Sequence, residues 1–235
     1  QAEGGAVGAE ARSNVLLGAV SLRVGLPYEL QLEAAVPFVH AQRDVTISNA
    51  FVQAREESGL GDVQAALTWQ LARGVPRTPD VLLSARWKSR TGRSPYGSKD
   101  AIGLGSGLDE LAASVTLVKP VDPLVLLASA EVAHPFARRT PAGHVDAREA
   151  FAFSVGAVLA VSPEASLTFG VDQRIAPRLL LNGAPVPGTD QMESSFRVGL
   201  STAWSATSSL QVNVAMGLTR DVPQVQLSVA MPMQL

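Results

Sequence analysis

The chain has 235 residues, of which 46% are hydrophobic and only 17% are charged, and its mean hydropathy is +0.18. A soluble globular domain carries about 25% charged residues, so something other than water is expected to cover part of this surface. The longest nearly uncharged apolar stretches, such as residues 151–161, are shorter than the roughly 20 residues that a membrane-spanning helix needs. Cysteine is absent, which excludes disulfide frameworks and thiol catalysis. The net charge of -2 gives no indication of nucleic-acid binding.

Apolar and polar residues alternate along much of the chain, which is typical of a β-strand with one apolar and one polar face. Val63, Leu67 and Trp69 share one face of such a segment, and Asp62 and Gln64 share the other. The alternation predicts eleven strands, at residues 14–24, 30–41, 61–73, 80–88, 108–118, 124–135, 148–161, 166–175, 192–204, 209–219 and 225–235.

The connections between these strands alternate in length. Short connections are predicted at residues 25–29, 74–79, 119–123, 162–165 and 205–208, and long ones at 42–60, 89–107, 136–147 and 176–191. A soluble β-sandwich is the alternative, but its long connections would not recur at every second junction. The pattern therefore predicts an all-β fold: a transmembrane up-and-down antiparallel β-barrel of the bacterial outer membrane, with short periplasmic turns and long extracellular loops.

The number of strands raises the question of how the barrel closes. Bacterial single-chain barrels have an even number of strands, so a twelfth strand is expected, either from residues 1–11 or from a segment upstream of Gln1. We therefore interpret residues 1–235 as one barrel domain, the C-terminal part of a longer chain. The last segment has apolar residues at alternate positions up to Leu235, as in the C-terminal strand signal of outer-membrane barrels, although most such signals end in Phe.

The polar face of the strands is predicted to line a lumen. Many of its positions hold Ala, Gly or Ser, such as Ala66, Ala112 and Gly156, which would leave the lumen open. The predicted lumen-lining charged residues are Arg23, Glu33, Asp62, Arg86, Lys88, Glu131, Asp172, Arg174 and Arg197. A network of ion pairs that only stiffens the wall is the alternative interpretation of these charges.

No catalytic residue, metal ligand or cofactor site is predicted. Of the three histidines, His40 and His134 lie near the outer ends of strands on the apolar side and His144 lies in a loop, and none has a serine and a carboxylate at a recognisable spacing. The glycine-rich residues 103–107 lack the Lys-Ser/Thr pair and the helix that phosphate-binding loops need. The charged residues of the long loops are expected to form solvated rims.

Seven short segments, in this order, resemble the family of outer-membrane barrels named for the meta-pathway of phenol degradation. They are residues 25–32 (GLPYELQL), 36–38 (VPF), 59–63 (GLGDV), 88–93 (KSRTGR), 105–107 (GSG), 122–123 (DP) and 217–223 (GLTRDVP). The family includes channels for aromatic compounds and the secretion channel of the Pseudomonas functional amyloid (Fap) system, which the chain resembles most. The resemblance implies a homotrimer of twelve-stranded barrels, each with an upstream plug.

Two passive channel functions follow from this interpretation, neither of which needs a cofactor. The first, which the small and polar inward residues favour, is a secretion conduit for unfolded amyloid subunits, which should have a wide polar lumen. The second is an uptake channel for small hydrophobic or aromatic compounds, which should have apolar residues inside and a lateral opening. An outer-membrane enzyme or an adhesin is the third possibility. The expected partners are outer-membrane lipid, the transported molecule and further copies of the chain, with no nucleic acid.

Overall fold

The computed structural model describes residues 9–47, 50–75, 77–96 and 102–234. All the regular elements in these ranges are β-strands, and all pairings between them are antiparallel. None of the described segments forms a helix that is long and apolar enough to cross a membrane. The all-β antiparallel fold predicted from the sequence is confirmed.

One large sheet of twelve strands contains most of the chain. Its strands are β1 (Ala9–Leu26), β2 (Leu30–Ile47), β3 (Ala50–Leu60), β4 (Gln64–Ala72), β5 (Asp80–Lys88), β6 (Glu110–Val121), β7 (Leu124–Pro135), β10 (Ala150–Ala160), β11 (Ala165–Ala176), β14 (Gln191–Ser205), β15 (Ser208–Gly217) and β16 (Val225–Ala230). Strands that follow one another in this sheet pair with each other, except β3 and β4, which both pair with β2. This is the up-and-down order that the alternating connections predicted.

β3 and β4 are two halves of one strand. β3 pairs with residues 38–47 of β2, and β4 pairs with residues 30–35 of the same strand. The sheet therefore has eleven strand positions side by side, in agreement with the eleven strands predicted. The prediction of a long loop at residues 42–60 was wrong, because β2 and β3 extend as a hairpin through most of this segment.

The sheet has two free edges. β1 and β16 lie at its ends and do not pair with each other, so the predicted closed barrel does not form within the described residues. With ten antiparallel steps between them, these two edge strands run in the same direction, and one further strand antiparallel to both would fit between them. That twelfth strand stays a prediction, and residues 1–8, one of its two predicted sources, lie outside the described residues.

The two long connections that follow β7 and β11 form a second sheet, at the end of the large sheet opposite its short turns. Its strands are β8 (Arg138–Thr140), β9 (Gly143–Asp146), β12 (Leu180–Leu181) and β13 (Ala184–Pro185). β9 and β12 join the two connections, and the backbone nitrogen of Asn182 donates to the carbonyl oxygen of His144 at 2.8 Å. These segments were predicted as loops, and the pairing of β9 with β12, which belong to different connections, left no local signal.

Candidate channel interior

One face of the large sheet is concave, and we call it the inner face. Arg174 on β11 reaches Glu110 on β6 with an N–O distance of 3.7 Å, although β7 and β10 lie between these strands. Side chains on a flat or convex face would diverge and could not meet across two intervening strands. The inner face next to Arg174 and Glu110 consists of alanines: Ala112, Ala133 and Ala150 form a buried cluster, and Ala176 packs against it. Small residues here leave room for the long charged side chains above.

Glu110 is the centre of an ionic network on the inner face. Its side chain is 6% exposed, and its carboxylate lies 3.1 Å from Lys88 Nζ and 3.4 Å from Arg86 Nη1. Arg86 in turn donates to Glu131 at 2.6 Å. Together with Arg174 this network contains three cations and two carboxylates, so the buried charge of Glu110 is compensated by several partners.

The other predicted lumen residues lie in separate places. Arg23 pairs with Glu33 at 2.8 Å near the free edge of β1, and Arg197 pairs with Asp172 at 3.3 Å. Asp62 lies apart from both pairs, in contact with Gly92 and Ser106. Ion pairs thus connect most of these charged residues. That the pairs only stiffen the wall remains the alternative interpretation. That these side chains line an aqueous pore stays a prediction.

Asp62 holds the connection between β5 and β6 against the inner face. Asp62 as a residue is 7% exposed. Its carboxylate accepts hydrogen bonds from Ser106 N at 2.7 Å, Ser106 Oγ at 2.8 Å and Gly92 N at 3.0 Å. Gly105 allows this close approach, because a Cβ atom there would lie 2.1 Å from Asp62 Oδ1. The described parts of this connection, residues 89–96 and 102–109, which we call the connecting segment, are thus both bonded to the wall, through Gly92 and Ser106.

The same segment covers the break between β3 and β4. Thr91 Oγ1 donates to the carbonyl oxygen of Gly61 at 2.9 Å and accepts from Val63 N at 2.9 Å. Ser89 N donates to the carbonyl oxygen of Val63 at 2.8 Å. These bonds satisfy the backbone groups that the interrupted strand leaves unpaired. The prediction that the charges of this segment form a solvated rim was incomplete, because Arg93 also pairs with Glu57 on β3.

An apolar area lies beside the break on the inner face. Val39 and Ala41 are buried against Leu104 of the connecting segment, and Ile102 packs on them. In register with them on β1, Leu17 lies opposite Val39 and Val15 opposite Ala41. We call these six residues the apolar patch. Val15 and Leu17 are each 63% exposed, so part of the patch is open.

A polar cavity also lies on the inner face, several strands away from the apolar patch. Its volume is about 380 Å³, and its lining includes Ser114, Ser129, Ser154, Asp172 and Arg174. Ser129 and Ser154 share a hydrogen bond of 2.7 Å between their hydroxyl oxygens. The inner face therefore combines an apolar patch at the β1–β3 side with a wall of hydroxyls and paired charges across β6, β7, β10 and β11.

Two important residues were missed in the sequence. Glu110 has the same parity as Ala112, which was placed on the polar face, so extending the period-two pattern by one step would have found it. Ser106 was identified only as part of a glycine-rich loop. Its contact with Asp62 joins positions 44 residues apart, and no spacing rule predicts such a contact.

No family model matches the chain. A search of solved structures finds a similar fold in the crystal structure of an outer membrane channel from Pseudomonas putida F1, with a TM-score of 0.69. The alignment covers 94% of this chain and 82% of that channel, at 16% sequence identity. At this identity the similarity concerns the fold. The predicted all-β fold is thus shared with an outer membrane channel, and the amyloid secretion function stays a prediction.

Proposed function

We propose that the protein is a passive channel of the bacterial outer membrane that takes up small, mainly apolar compounds. The fold of the Pseudomonas putida channel supports the coarse assignment. Uptake of apolar compounds is proposed because the connecting segment lies on the inner face, with Leu104 packed on Val39 and Ala41. This arrangement narrows the space inside the sheet and offers an apolar surface within it.

The break between β3 and β4 offers an apolar compound a lateral route through the wall, in addition to the route along the lumen. Where β3 ends and β4 begins, the wall consists of Gly61, Asp62 and Val63 and the connecting segment hydrogen-bonded to them. A shift of this segment away from Asp62 would open the wall beside the apolar patch. Compounds of low polarity would then pass between the lumen and the membrane without crossing the polar cavity.

A secretion conduit for unfolded amyloid subunits is the second candidate, and the polar wall favours it. Ser114, Ser129 and Ser154 present hydroxyls rather than apolar groups to the cavity, and small side chains suit the passage of an extended polypeptide. This function requires the connecting segment to leave the inner face altogether. The homotrimer and the upstream plug stay predictions.

Planar-bilayer recordings of the purified protein test the proposal and separate the two candidates. We expect a small single-channel current that is interrupted by an added aromatic alcohol and is insensitive to an unfolded glycine- and glutamine-rich peptide. Interruption by the peptide alone would favour the secretion conduit. No current from either the wild-type protein or a variant with the connecting segment released would contradict both channel functions.

A further inference from the structure

The outer surface carries a cluster of side chains that the channel proposal does not use. Ser58 Oγ lies 2.7 Å from Nδ1 of His40, and Nε2 of the same imidazole lies 3.7 Å from a carboxylate oxygen of Glu56. A serine at one ring nitrogen and a carboxylate at the other is the arrangement that activates a serine nucleophile. No spacing along the chain indicated it, because β2 and β3 bring these residues together by antiparallel pairing.

Strand register places polar and apolar neighbours around this cluster in three rows. His40 lies between Leu16 on β1 and Ser58 on β3, and the row above consists of Asn14, Gln42 and Glu56. The row below consists of Gly18, Phe38 and Leu60. The cluster therefore has side-chain amides on one side and an apolar strip on the other.

The apolar strip continues down β2 as a band of membrane-compatible length. Leu30, Leu32, Val36 and Phe38 share the parity of His40 and face outward. The ten residue steps from Leu30 to His40 cover about 33 Å along the strand, which at the usual tilt of about 40° is a height of about 25 Å, that of the apolar band of outer-membrane barrels. His40 would therefore lie at the edge of this band, at the level of the ester groups of membrane lipids.

We infer that His40, Ser58 and Glu56 form a serine-hydrolase site for lipid acyl esters on the outward face of the barrel wall. The substrate's acyl chain would lie along Phe38 and Leu60, which are 52% and 55% exposed. The amides of Asn14 and Gln42 are the candidate donors to the oxyanion. This inference needs the outward face to contact lipid, but it does not depend on conductance through the interior.

The reaction needs no cofactor. Ser58 Oγ bonds to the carbonyl carbon of the ester while its proton passes to Nδ1 of His40. The bond to the alcohol oxygen then breaks, and the alcohol leaves with that proton. Water attacks the acyl-serine, His40 takes a proton from the water and returns it to Ser58, and the fatty acid is released. Glu56 is a positioning residue, because a carboxylate near Nε2 favours the tautomer that keeps Nδ1 free to accept. Its 3.7 Å distance is longer than a hydrogen bond, as is common before substrate binds.

The test is covalent labelling of the full chain in detergent micelles with a fluorophosphonate probe, followed by mass spectrometry of the labelled peptide. We expect the label on Ser58, and we expect hydrolysis of p-nitrophenyl butyrate by the same sample. Ser58→Ala should abolish both, and His40→Ala should slow both by about 10²-fold or more, the usual contribution of a general base.

The role of Glu56 has its own readouts. Glu56→Gln should slow labelling about tenfold, because the neutral amide no longer favours the tautomer of His40 that leaves Nδ1 free to accept the proton. Glu56→Asp should recover part of the rate. If Glu56 had no positioning role, Glu56→Gln and Glu56→Asp would label at the same rate.

Two variants control for general effects of substitution. Ser205→Ala removes an exposed serine whose hydroxyl contacts Thr207 rather than a histidine, and His134→Ala removes a histidine that contacts Glu149 and Phe136. Both should label at the wild-type rate, and thermal unfolding curves should show that every variant is folded. Absence of label at Ser58 in the folded wild-type protein would overturn the inference. Equal labelling in the wild type and in His40→Ala would overturn it as well.

Discussion

Asp62 Oδ2 accepts hydrogen bonds from both the backbone nitrogen and the hydroxyl group of Ser106, at 2.7 and 2.8 Å, across 44 residues of sequence. Hydrogen bonds to a charged group contribute about 1.5–3 kcal/mol each. The position of the connecting segment on the inner face therefore depends strongly on one carboxylate.

Asp62→Ala should release the connecting segment. With three hydrogen bonds to the carboxylate lost, we expect several-fold higher single-channel conductance and faster tryptic cleavage after Arg90 and Arg93. Planar-bilayer recordings and limited proteolysis measure the two effects. Unchanged conductance together with faster cleavage would show that the segment does not obstruct the path of the current.

Gly105→Ala should have a similar effect by a different route. The new Cβ atom would lie 2.1 Å from Asp62 Oδ1, so the carboxylate and the segment must move apart. Gly25→Ala is the matched control, since no atom lies within 4 Å of its Cβ position. Equal conductance and equal proteolysis rates in the two alanine variants would contradict the importance of this close approach.

Ala66→Trp should lower conductance if current passes along the inner face. Ala66 lies opposite Glu33 and Arg86 in register, and an indole there would occupy space that the methyl group leaves free. Ala65→Trp is the control, because the adjacent residue lies on the outer face opposite Trp87. Gly156→Trp is a poorer test, because a Cβ atom there would lie 2.8 Å from the carbonyl oxygen of Phe169. Equal currents from the two tryptophan variants at positions 65 and 66 would place the current path elsewhere.

Glu110→Gln should destabilise the sheet. Removing one partner from a buried ionic network costs on the order of 3 kcal/mol, and here Lys88, Arg86 and Arg174 would lose their shared carboxylate. Urea unfolding measures the change in the free energy of unfolding. Glu193→Gln is the control, because Glu193 makes no ion pair in the described part of the chain, and its effect should be small. Equal destabilisation by both variants would contradict a specific contribution of the Glu110 network to stability.

The outer loops should lose an ion pair in acid. The hydrogen bond from Arg178, whose Nε lies 3.0 Å from Asp190 Oδ1, lowers the pKa of Asp190 below its ordinary value of 3.8. The pair therefore contributes fully above that ordinary value, and the contribution is lost as the pH falls through the lowered pKa. In a carboxyl NMR titration, Arg178→Ala should raise the pKa of Asp190. The pKa of Glu149, which is lowered by its own backbone amide and by His134, should not change.

The alternation of side chains predicted which face of each strand a residue occupies. Trp69, Trp87 and Phe153 are exposed on the outer face, and Arg86, Glu131 and Arg174 share the inner one. Successive side chains of a strand point to opposite faces whatever their partners, so this property is local. Strand ends were less predictable, since β2 and β3 continue through a polar segment where pairing rather than polarity maintains the strand.

The sequence by itself thus determined the all-β class, the order of the strands and the parity of their residues, because a period of two is a property of the backbone that a few neighbouring side chains reveal. Only the tertiary structure decided that Asp62 binds Ser106, that Arg174 reaches Glu110 and that His40 meets Ser58. These contacts depend on register, on the curvature of the sheet and on the path of a long connection. All three bring together residues that are far apart in the chain, where local pattern carries no information.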